Sequence, residues 1–89
     1  MDKKQLYQKI YIQYGYEAML EKWIEELLEL TTLLQQSKSK PISSTDLIKE
    51  TSDVSIIVEQ IAEINDIHSE VIEMREKILK ELPDKLKLA

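Results

Sequence analysis

Apolar residues recur at three- and four-residue intervals along most of the chain and show no clear alternation with polar ones. That periodicity predicts helices and no strands. A first helix is expected from about Lys3 to Tyr14, stopped by Gly15, the only glycine and a natural left-handed stop. A second runs from about Tyr16 to Gln36 without a breaker. The polar stretch SKSKPISS, residues 37–44, is the connector, and Ser43 with Asp46 three positions on resembles a capping box for a third helix reaching about Glu63. The period falters around NDIHS. Ser69 is then the expected cap of a fourth helix ending near Leu82, before Pro83. No internal repeat appears, and no seven-residue period lasts long enough for an extended coiled coil. The expectation is a single all-α domain over residues 1–89, a compact bundle of about four helices.

Each residue advances about 100° around a helix axis, so side-chain directions can be assigned. In the third helix Leu47, Val54, Ile57, Val58, Ile61 and Ile64 form one stripe, with Glu50 inside it and Asp53 at its edge. The solvent side is expected near Ser52, Glu59 and Glu63. In the second helix Leu20, Trp23, Ile24, Leu27 and Leu34 make the main apolar stripe, with Thr31 among them. Glu26 and Glu29 face away from its centre, yet Leu30 and Leu33 point nearly the same way. A neighbouring helix or subunit is therefore expected over the acids. An acid pair at three-residue spacing is ordinarily a solvated face, and for Glu26 and Glu29 alone that is the default. Glu50 within an Ile/Val stripe is a different case, because a buried carboxylate is costly unless a positive charge meets it.

Length and charge narrow the partners. Eighty-nine residues bury a modest core, so pairing with copies of itself, as a homodimer or homotetramer, is expected to complete the bundle. Twelve basic against 17 acidic residues leave a net charge of −5, which argues against nucleic-acid binding through phosphate neutralisation. No run is long and apolar enough for a bilayer. The N-terminal MDKKQLYQKI lacks a secretion signal, and a cytoplasmic location is expected. With no cysteine there is no thiolate metal site. Four converging carboxylates would repel one another unless protonated or bridged by a cation. An oxygen-only set suits a hard ion, Mg²⁺ or Mn²⁺, with Ca²⁺ also compatible.

The two pairs stand in order as Glu26-Leu27-Leu28-Glu29 and, after twenty residues, Glu50-Thr51-Ser52-Asp53. With the flanking YGYEAMLEKWIEELLEL and ETSDVSIIVEQIAEIN, and with SEVIEMREKILKEL further on, they resemble the MazG-like nucleotide pyrophosphohydrolases, all-helical enzymes of the all-α nucleoside triphosphate pyrophosphatase group. The resemblance covers most of the chain. It implies Mg²⁺-dependent hydrolysis of a nucleoside triphosphate to monophosphate and pyrophosphate, with Glu26, Glu29, Glu50 and Asp53 as metal ligands. Glu25 would orient or deprotonate the attacking water. Lys77, which matches a lysine common in the family, and Arg75, inside the stripe of Val71, Ile78 and Leu82, would reach a phosphate; an intrahelical ion pair is the competing role for each. Two departures stand out. Met19 occupies a place where the family often has glutamine, which bears on base recognition, and Thr51-Ser52 replace small residues.

Tyr7, Tyr11 and Tyr14 line one side of the first helix and read as core or subunit contacts. His68 reads as a surface residue in a turn. Two other functional readings remain open at this stage: a non-catalytic helical interaction module, and a degenerate family member that binds nucleotide or metal without turnover.

Overall fold

The computed structural model describes residues 1–88 and consists of four α-helices: α1 (Lys3–Tyr14), α2 (Tyr16–Gln36), α3 (Ser44–Ile64) and α4 (His68–Lys85). Local chemistry sets most of their ends. Asp2 and Gln5 form a reciprocal capping box on α1. Gly15 ends α1 and opens α2 at φ 85°, ψ 164°. That is not the left-handed helical stop expected from sequence but a more extended conformation, and one that side chains other than glycine's avoid. A Cβ there would meet nothing within 4 Å, so backbone conformation and not space demands the glycine.

Ser43 caps α3 through the Asp46 N–H at 3.0 Å. The turn after α3 carries Asp66 at φ 54°. Its N–H donates to the Glu63 carbonyl while Ile67 N–H donates to that of Ala62, the paired closure of a helix C-terminus. Because this closure hands the chain directly on, α4 begins at His68, with Ile67 and not Ser69 at the cap position and no side-chain cap. Helix α4 also runs through Pro83 to Lys85. A proline so near the end forfeits only one helical hydrogen bond, and the tail closes with Leu88 N–H on the Pro83 carbonyl.

Helix α3 is the hub. It packs on α1, α2 and α4; α1 also meets α2, while α4 touches α3 alone. Met19, Trp23 and Ile57 form the buried centre, flanked by Ile10, Ile61 and Ile64. Trp23 Nε1 donates to Gln60 Oε1 at 2.9 Å, and both side chains are buried. The indole can only donate, so this bond also sets which end of the Gln60 amide faces it.

Helix α1 lies across the Glu59 side of α3, which the helical wheel had assigned to solvent. Tyr7 is buried and donates its hydroxyl to Glu59 Oε1 at 3.2 Å, and Lys3 pairs with the same oxygen at 2.9 Å. Tyr11 and Tyr14 stay exposed, although Tyr11 stacks edgewise on Tyr16 and Tyr16 on Trp23. The largest surprise is in α2. The face turned to the core holds Met19, Trp23 and Glu26, whereas Leu20, Ile24, Leu27 and Leu34, four of the five apolar residues in its expected main stripe, are exposed.

Candidate metal centre

The α2–α3 contact brings the two acid pairs together. Glu26, Glu29, Glu50 and Asp53 each offer a carboxylate oxygen, and these four atoms lie within 4.8 Å of one another. On each helix a three-residue step turns both side chains toward one point. The covering helix that Leu30 and Leu33 implied is α3 of the same chain. Glu26 is the most enclosed of the four, at 8% exposure, and the other three are half-buried.

Two oxygens in the cluster have no hydrogen-bond partner although water cannot reach them: Glu26 Oε2 and Glu50 Oε2. Buried carboxylate oxygens are strong acceptors and seldom stay unpartnered. Their second oxygens are served unequally. Lys22 reaches Glu26 Oε1 at 2.9 Å, while Lys49 reaches Glu50 Oε1 only at 3.8 Å and gives its close contact, 2.8 Å, to Asp53 Oδ2. The same contact holds the Asp53 carboxyl below its ordinary pKa, against the opposing effect of burial. Burial raises the pKa of Glu29, and the negative charges of Glu26 and Glu50 push it further up. Both lysines are held above their ordinary values, Lys22 by Glu26 and Lys49 by Asp53.

Lys22 and Lys49 were not singled out in the sequence. The signal was there: each stands four residues before its acid, Lys22 before Glu26 and Lys49 before Asp53. They partly neutralise the cluster from its two edges and leave the two orphan oxygens inside. Such a donor set, all oxygen and enclosed on one side, fits a hard divalent cation.

Beside the cluster lies a cleft of about 460 Å³ lined by Glu25, Leu28, Glu29, Thr32, Leu33, Gln36, Asp46 and Glu50. Glu25 lines it, with a loose contact to Lys22 at 3.8 Å. Arg75 and Lys77 are elsewhere. Helix α4 makes no contact with α2, and Arg75 lines a groove with Ser55, Glu59 and Val71 on the other side of α3. Lys77 is exposed. Within one chain neither cation adjoins the acids. His68 is exposed at the start of α4, so its surface position stands although it lies in the helix and not in a turn. Met19 is buried in the wall of an apolar cavity of about 340 Å³ with Ile10, Tyr14, Trp23 and Gln60. Among the described residues no helix is long and apolar enough to cross a membrane. No family model, no curated protein and no solved structure matches the chain.

Proposed function

We propose that this chain is a Mg²⁺-dependent nucleoside triphosphate pyrophosphohydrolase of the MazG-like kind, releasing pyrophosphate and a nucleoside monophosphate, with Mn²⁺ able to replace Mg²⁺. The observation that carries the reading is the convergence of Glu26, Glu29, Glu50 and Asp53, with two buried oxygens left without a partner. Isolated surface acids would not be enclosed in this way.

A bound Mg²⁺ would supply charge neutralisation for the phosphate chain and acidify a coordinated water. The four carboxylates would hold the ion, the two from α2 and the two from α3 approaching from opposite sides. Glu25, on the cleft wall beside Glu26, would orient the attacking water at the α-phosphorus and take its proton. Lys22 and Lys49, paired with Glu26 and Asp53 at the edges of the cluster, would exchange those carboxylates for phosphate oxygens as substrate arrives. Leu28 and Leu33 line the same cleft and would limit water there. Acids on the protein and acids on the substrate then share cations, which reconciles a net charge of −5 with a polyphosphate ligand.

The test is pyrophosphate release from a panel of nucleoside and deoxynucleoside triphosphates, with and without Mg²⁺. Release should require Mg²⁺ and disappear in Glu29→Gln and Glu50→Gln. Single-phosphate release would reject the bond assigned. Calorimetric binding of Mg²⁺ or nucleotide with no product would identify a binding protein without turnover, and no binding at all a helical interaction module.

A further inference from the structure

We propose that Gln60 selects the base of the substrate. The cavity between α1, α2 and α3 takes the nucleobase, and the Gln60 amide, held in one orientation by Trp23, favours a base that presents a carbonyl oxygen to it over one that presents an amino group. The inference rests on the pyrophosphohydrolase reading and adds to it the class of base.

The register of the two central helices places the cavity. They run antiparallel, since Trp23 meets Gln60 while Glu26 and Glu29 meet Glu50 and Asp53. Met19 stands seven residues before Glu26, and Gln60 seven after Asp53. Seven residues return a side chain to nearly the same direction, roughly 10 Å further along the axis. Cavity and acid cluster therefore share one groove, two turns apart, a separation comparable to the length of a nucleoside from its 5′ oxygen to the far edge of its base. Lys22 joins them, lining the cavity while its ammonium contacts Glu26 at 2.9 Å. A nucleotide with its phosphates at the cluster would send its base into the cavity.

The walls suit a flat, uncharged ring. The volume of about 340 Å³ falls in the range of small-molecule sites. Ile10, Met19, Tyr14 and Trp23 supply apolar and aromatic surface, with Trp23 buried and Tyr14 63% exposed at the mouth. Lys22 is the one charged residue in the lining and is already paired.

Gln60 supplies the polar reading. The residue is only 6% exposed. Its Oε1 accepts from Trp23 Nε1 at 2.9 Å, and because an indole can only donate, the amide cannot turn over without losing that bond. The free end is thus the NH2 group. Among the described residues it meets no acceptor, and it is not among the sealed, orphaned atoms, so it opens on the cavity that Gln60 lines. With the sugar toward the cluster, the far end of the base carries a carbonyl oxygen in uracil, thymine and guanine and an amino group in cytosine and adenine. The first kind completes the amide's hydrogen bonding; the second sets N–H against N–H and leaves both unsatisfied.

Binding of free nucleosides without Mg²⁺ tests this apart from any hydrolysis. Trp23 is the chain's only tryptophan, so its fluorescence reports on the cavity wall. Uridine and guanosine should bind about tenfold more tightly than cytidine and adenosine, and kcat/KM for the triphosphates should follow the same order. Gln60→Met should remove the preference. Trp23→Phe, read by calorimetry, frees the amide to turn, so cytidine should approach uridine while uridine keeps its affinity. A merely structural role for the pair would weaken all four nucleosides together and keep their order, and that result would overturn the proposal. So would a wild type that binds carbonyl and amino bases alike, or none of them into the millimolar range, even if it releases pyrophosphate. A carbonyl preference in a protein that releases no pyrophosphate would uphold the role of Gln60 and reject the hydrolase reading alone.

Discussion

Replacing Glu50 by leucine should raise the melting temperature of the metal-free protein and abolish its response to Mg²⁺. In the folded chain Glu50 Oε2 is buried without a partner, and Lys49 stays 3.8 Å from Oε1 while it serves Asp53 more closely. Leaving a buried polar group unsatisfied costs about 1–3 kcal/mol. Leucine of similar reach would remove that cost and join the Ile57 and Ile61 stripe, as apolar replacement of buried charge often does. For a domain of this size 1 kcal/mol corresponds to about 4–8 °C, so the metal-free melt should rise by roughly 5–20 °C.

Mg²⁺ works against that ranking. A ligand at a hundredfold its dissociation constant stabilises by about 2.7 kcal/mol, and only the wild type would gain it. Melting followed by circular dichroism over a Mg²⁺ series should show the wild type climbing toward or past a flat Glu50→Leu. A Glu50→Leu protein that melts below wild type without metal would refute the placement of an uncompensated carboxylate at this position. Wild type unmoved by both Mg²⁺ and Mn²⁺, with the variant still more stable, would refute the metal centre and leave the acids as mere repulsion.

Protons should compete with Mg²⁺ through Glu29. Its folded pKa is raised, so the metal-free protein loses stability as pH climbs from the ordinary glutamate value through the raised one. Mg²⁺ needs the ionised form, so calorimetry should show affinity falling on acidification through that same window, with proton release on binding. A pH-independent affinity there would contradict it. Asp53 works in the other direction: its lowered pKa contributes stability that is present above the ordinary aspartate value and lost as pH falls through the lowered one. Lys22→Met should tighten Mg²⁺ binding several-fold, since it removes a cation 2.9 Å from Glu26, while lowering the metal-free melting temperature; weaker binding would mean that Lys22 helps to hold the ion's site. Trp23→Phe leaves the buried Gln60 Oε1 without its donor and should cost about 1–3 kcal/mol, read as a lower thermal midpoint. An unchanged midpoint would show that the amide finds another partner.

Sequence by itself determined the helices. Their periodicity, the Ser43 cap and the lone Gly15 are local signals, acting within a turn or two of chain, and the first three helices begin and end within a residue or so of where those signals put them. The inward placement of Glu50 was legible for the same reason: an acid inside an Ile/Val stripe has nowhere else to point. Helix α4 was less legible, because the closure of α3 through Asp66 hands the chain into α4 at His68, ahead of Ser69 and without a side-chain cap, and because Pro83 fits inside a last turn.

Tertiary structure decided which half of α2 meets α3. That helix is apolar over so wide an arc that its own pattern cannot say which part faces inward. Packing chose the edge bearing Met19, Trp23 and Glu26 and left Leu20, Ile24, Leu27 and Leu34 outside. Only that choice turned two acid pairs, twenty residues apart in the chain, into one cluster within 4.8 Å. Tertiary packing also docked the helix that carries Arg75 and Lys77 on α3 alone, away from α2. Side-chain direction around one helix is set by a fixed 100° step, but the relative rotation of two helices depends on every contact between them, and no single stretch of sequence contains both partners.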